Sequence, residues 1–210
     1  MTKASGTLTT ENQNSKRRLE IERAVAGLRI KESKVALMTL SFYVDGALEQ
    51  WERIKKDEDA AGSESALSTV CSEKGDKSKE AEHDRGYWAF KHQALLDAHF
   101  YFVCADKVFK LSNFIVNREK SDSLNKFWKV WMPKLERLYK PRRNLEHPEM
   151  YLQPGWQKPY FEFFFEKSFA IRGKRFDMSS SGLKTIADFF DELIALLESL
   201  EPGSKDKRAT

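Results

Sequence analysis

The chain has 210 residues, 40% of them apolar and 32% charged, with 36 Lys and Arg against 32 Asp and Glu. That length can bury a real core without forcing two domains, and the apolar share excludes wholesale disorder. A net charge of +4 names no nucleic-acid partner by itself, so the placement of the charge matters more than its sum.

Residues 1–14, rich in Thr, Ser and Asn, predict a disordered leader without an apolar signal core. From Ser15 to about Lys56 little stops a helix. Leu28, Val35, Met38, Phe42, Asp45 and Glu49 fall at helical spacing and mark one side of it. Gly27 is the weak point and can set the preceding part off as a loosely held arm. Residues 57–86 hold Ser, Glu, Lys, Asp and Gly with hardly an aliphatic side chain. Such a stretch predicts a mobile insertion without structure.

A second helix is expected over Tyr87 to Val116, with Leu95, Leu96, Phe102, Val103 and Phe109 as its apolar face. Ser123 reads as the N-cap of a third, which carries Phe127, Trp128, Trp131, Leu135 and Leu138 on one side. Pro133 should kink or divide it. Pro141 and Pro148 bracket a short segment, and residues 149–159 form an aromatic, Pro- and Gly-containing loop. Tyr160 to Phe165 and Ser168 to Asp177 read as short strands, with Arg172-Gly173-Lys174 as a turn. A closing helix starts near Ser180 with Leu183, Ile186, Phe189, Phe190, Leu193, Leu197 and Leu200 at helical spacing. Glu201-Pro202-Gly203 stops it, and residues 201–210 form a charged tail.

The expected fold class is mainly α: an α-helical bundle with a small β-hairpin between the bracketed segment and the C-terminal helix, as one domain over 15–200. Fifteen Phe and five Trp should fill much of its core. Cys71 and Cys104 are the only cysteines; two free thiols suit a reducing compartment and exclude a zinc site built on several cysteines. The longest nearly apolar run, Val35 to Val44, is about half of what a bilayer needs, so no membrane is expected and the cytoplasm is the default. No Gly-rich phosphate loop, HExxH, CxxC or GxSxG occurs, and no cofactor or metal is expected.

Three constellations remain. Lys126, Lys129, Lys134, Arg137 and Lys140 fall on one side of the third helix, opposite Trp128, Trp131, Leu135 and Leu138. Such a row suits a phosphate backbone, or is an ordinary solvated face. His92, His99, Asp106 and Asn113 recur every seven residues on the second helix, with Asp45 placed on the apolar side of the first. They make either one wall of a polar cleft or a set of satisfied core hydrogen bonds. The third is Arg142-Arg143-Asn144-Leu145-Glu146-His147. An arginine can hold a phosphate bidentately and a histidine can move protons near neutral pH, the minimum for metal-free RNA cleavage by an attacking 2′-hydroxyl.

That last cluster resembles the Arg-(four residues)-His signature of the HEPN superfamily, small helical-bundle proteins that include metal-independent ribonucleases of toxin–antitoxin and phage-defence systems. The Asp97-Ala98-His99-Phe100-Tyr101-Phe102-Val103 helix, the short strands and the closing helix extend the similarity in pattern over roughly residues 30–200. Arg142 has the family's spacing to His147, whereas Arg143 is the one followed by a small polar residue, Asn144; both stay candidates. The resemblance implies RNA binding or endoribonuclease activity by a homodimer. His147 would be the general acid/base and Arg142 or Arg143 the phosphate holder. Asn144, Glu146, His99 and Asp106 would support them, and Lys126, Lys129, Lys134, Arg137 and Lys140 would meet RNA. It also implies an antitoxin or other protein partner. The alternative is a non-catalytic helical scaffold or regulatory subunit, in which Arg142 and Glu146 form an i,i+4 ion pair and His147 answers the helix dipole.

Overall fold

The structure, a computed structural model, describes residues 5–140, 161–164, 168–171, 174–177 and 180–200. The segment from Arg142 to His147 and the tail 201–210 lie outside the described residues. Five helices are described: α1 (Ser5–Gly27), α2 (Lys31–Glu73), α3 (Lys77–Glu119), α4 (Asp122–Tyr139) and α5 (Ser180–Ser199). The protein is mainly α-helical, consistent with a helical bundle. Between α4 and α5, backbone at β1 (Phe161–Phe164), β2 (Ser168–Ile171) and β3 (Lys174–Asp177) pairs antiparallel in the order β1-β2-β3. Phe163 is paired with Phe169, and Phe169 with Phe176.

The chain divides into two structural units, to both of which α2 and α3 contribute. In the first, α1, the start of α2, the end of α3, α4 and α5 surround an aromatic core. Phe189 and Phe190 of α5 are buried with Leu193 and Leu197. Phe127, Trp128 and Trp131 of α4 gather round Phe189, with ring centroids 5.5, 6.4 and 5.7 Å from it. The arm is no loose leader. It is helical from Ser5, Ala24 is fully buried, and Arg17 lies 5.2 Å from the Phe190 ring centroid. At Gly27 a Cβ would come within 2.3 Å of the Leu197 carbonyl oxygen, so only glycine lets the end of α1 meet α5.

The inward side of α2 also differs from expectation. Val35, Met38 and Phe42 are 57, 60 and 73% exposed, and Asp45 and Glu49 are exposed with them. Buried instead are Ser33, Ala36, Leu37, Leu40, Val44 and Ala47. The expected stripe carries two carboxylates, and burying them costs more than exposing three apolar side chains. Small residues and leucines make the packed side. On α3 likewise Leu96 is exposed, while Ala94, Ala98, Phe102, Ala105 and Val108 are buried.

In the second unit the remaining lengths of α2 and α3 form an antiparallel helical hairpin. Residues 57–73 and 77–86, expected to be an insertion without structure, are helical. The link between them is built from local rules. Gly75 has φ +73°, its N–H donates to the Ser72 carbonyl at 3.1 Å, and the Asp76 N–H donates to the Cys71 carbonyl at 3.0 Å. That is a Schellman stop, and glycine holds the left-handed position without a Cβ penalty. Asp76 then caps α3, its carboxylate accepting from the Lys79 N–H at 3.2 Å. Ala61 is the fully buried apolar contact within this stretch; polar pairs supply the rest. The His83 ring meets the Glu64 carboxylate at 2.8 Å, Ser68 Oγ donates to Asp84 at 2.6 Å, and Lys91 Nζ donates to both oxygens of Glu58.

Candidate nucleic-acid interface

Helix α4 begins one residue before the expected cap. Ser121 precedes the helix, and its carbonyl accepts the first bond from the Asn125 N–H at 2.9 Å. The helix runs through Pro133 undivided. Proline removes the N–H that would reach the Lys129 carbonyl, but Pro133 and Lys129 stand on the exposed side, where water can meet that oxygen. Leu124, Trp128, Trp131 and Leu135 are buried. Trp131 Nε1 donates to the Glu192 carboxylate of α5 at 2.9 Å, which satisfies the indole and fixes the rotation of α4.

That rotation turns Lys126, Lys129, Lys134 and Arg137 outward, and all four are exposed. From Lys126 to Arg137 the row is ~16 Å long by helix rise, enough for several phosphates of one strand. Lys134 Nζ lies 4.0 Å from the centroid of the Trp131 ring, so its charge is held against the helix and not left to roam. Val130, 59% exposed, sits amid the row. Lys140, in the turn after α4, is exposed too and keeps an interaction of its own.

The heptad line on α3 does not form one wall. His92 is exposed beside Trp88, His99 is half-buried with its ring edge-on to Phe100, and Asp106 is buried with a partner. A seven-residue repeat slips by about 20° per step on a straight helix, enough to carry the line from solvent toward the core. The hairpin places together residues that no motif announces. Asp97 is buried on α3, with Gln93 Nε2 at 3.4 Å. Across from it on α2, burial and the neighbouring Asp97 carboxylate push the Asp57 carboxyl above the ordinary aspartate value, against the pull of Lys56 and Arg53. Their only sequence signal is acidic residues at facing positions of two long helices. Burial also raises the Tyr101 hydroxyl and the Cys104 thiol, which makes that cysteine a poor nucleophile. Cys71 and Cys104 are unpaired.

Among the described residues no three His, Cys, Asp or Glu side chains converge as metal ligands, and no helix is long and apolar enough to cross a membrane. No family model, characterised protein or solved structure matches the chain.

Proposed function

We propose that the protein is an HEPN-like RNA-binding homodimer and a metal-independent endoribonuclease, acting as a toxin or in phage defence. The observation that supports it most is the set of four cations exposed on α4, whose opposite face is anchored by two tryptophans and a fixed indole hydrogen bond. A rigid row of point charges matches a phosphate backbone without selecting a base. The β1-β2-β3 backbone pairing serves in this reading as the small hairpin ahead of the closing helix. Cleavage falls to Arg142 or Arg143 and His147: the 2′-oxygen bonds to phosphorus, the bond to the 5′-oxygen breaks, and His147 moves the proton. The exposed Val35, Met38 and Phe42 favour a second reading, a scaffold that docks a protein partner on α2.

Incubation of RNA with the protein in EDTA tests the first. Cutting that leaves cyclic phosphate ends is expected. His147→Ala should abolish cutting and keep binding, and Arg142→Ala beside Arg143→Ala identifies the phosphate holder. Lys134→Ala with Arg137→Ala should weaken binding and flatten its salt dependence. A wild-type protein that neither binds nor cuts RNA rejects this reading and leaves the scaffold.

A further inference from the structure

Near the C-terminal end of α3 the first unit carries an open groove of about 760 Å³. Its lining is one-signed. Lys110, Arg118 and Lys120 bring three cations, Asn113 and Asn117 two amides, and Phe114 an aromatic ring, with no carboxylate among them. The nearest acidic residue in sequence is turned elsewhere. Glu119 accepts from the Arg29 N–H at 3.2 Å and the Ile30 N–H at 3.1 Å. That clasp ties the α1–α2 link to the end of α3 and sets Ile30 as the groove's apolar wall. Helix ends of this polarity bear only about half a negative charge, too little to offset three full positive ones. Lys120, with φ +50°, ends the helix in a left-handed turn beside the groove.

The chemistry is that of a nucleotide and not of a bare anion. Arg118 lies over Phe114, its guanidinium carbon 5.4 Å from the ring centroid. A ring and a guanidinium plane are the two surfaces on which unpaired bases stack. Asparagine amides offer a donor and an acceptor to a base edge. The lysines at either end of the lining suit the flanking phosphates. We propose that this groove binds one nucleotide of single-stranded RNA, its base against Phe114 and Arg118 and its phosphates at Lys110 and Lys120. The proposal rests on the reading that the protein binds RNA, and it adds a base-contacting site to a row on α4 that meets only backbone.

The test measures binding of the full chain to a fluorescent eight-nucleotide RNA across a salt series. Phe114→Ala should weaken binding roughly tenfold with the salt slope unchanged, since stacking is lost and no charge is. Arg118→Ala with Lys120→Ala should weaken it and lower the slope by about 1.4. Asn117→Asp, which keeps size and fold, should weaken it as well; thermal melts confirm that each variant is folded. Free adenosine monophosphate and inorganic phosphate should compete only at far higher concentration than the oligonucleotide. If monophosphate competes as well as the strand, the site takes a free nucleotide and the assignment to RNA is overturned. Loss of binding on changing the α4 lysines, with no effect from Phe114, Asn117 or Arg118 and Lys120, overturns the groove but keeps RNA binding. A wild-type chain that binds no RNA overturns both.

Discussion

Helix α4 and the tip of the α2–α3 hairpin are both regular helix, and they are helical for different reasons. In α4 an apolar face of Leu124, Trp128, Trp131 and Leu135 is buried against aromatic neighbours, and tertiary packing makes the helix. Between residues 57 and 86 almost nothing apolar is buried besides Ala61. There, helix-tolerant Ala, Glu and Lys, a Schellman stop at Gly75, the Asp76 cap and cross-helix polar pairs act together. Stability in the first region scales with buried area. In the second it is a sum of modest polar contributions, each open to screening or titration.

The largest expected effect falls on the aromatic side of this contrast. Phe189 is fully buried among Phe127, Trp128 and Trp131. Phe189→Ala should cost about 3–5 kcal/mol in urea unfolding. A cost below about 1 kcal/mol would mean that these rings pack loosely and that α4 owes its form to something else.

A middle-sized effect belongs to the hairpin. Lys91 is nearly buried and donates to both oxygens of Glu58, at 2.9 and 2.8 Å. Lys91→Ala strands a partly buried carboxylate and should cost about 1–3 kcal/mol. Lys91→Met with Glu58→Gln should recover much of that, because no charge is left unpaired. Limited proteolysis of the wild type sharpens the comparison. Helical residues 57–86 should resist cleavage, and rapid cutting there would return the segment to the mobile insertion that its composition suggests.

The two regions were unequally legible in the sequence for the same physical reason. Periodic burial leaves a periodic pattern, so α5 is readable nearly residue by residue: Ile186, Phe189, Phe190, Leu193 and Leu197 are buried as expected. The anchored and exposed sides of α4 are readable too. On α2 the pattern misled, because Val35, Met38 and Phe42 outweigh by eye the small Ala36 and Ala47 that let helices approach. For residues 57–86 hydrophobicity holds no signal, and the one available mark is Gly75 followed by Asp76, a stop joined to a cap. The Asp57–Asp97 juxtaposition is set by which faces of α2 and α3 meet, and no spacing within one helix encodes that.

That juxtaposition gives the smallest effect and the sharpest sign. Burial first, then the Asp97 carboxylate beside it, raises the Asp57 carboxyl above its ordinary value. The folded state therefore holds this proton more tightly than the unfolded chain does. The stabilisation is fully present below the ordinary aspartate range and is lost as pH rises through the raised folded value. Near neutrality the pair repels, partly offset by Lys56 and Arg53. Asp57→Asn carries no titrating proton, so its melting temperature should match or exceed that of the wild type at about pH 7. Its advantage should shrink steadily toward about pH 4, where wild-type Asp57 is neutral as well. A variant less stable than wild type at neutral pH would mean that Asp57 serves as a charged partner to Arg53 or Lys56. The polar hairpin would then be held by attraction at the one position where its geometry implies strain.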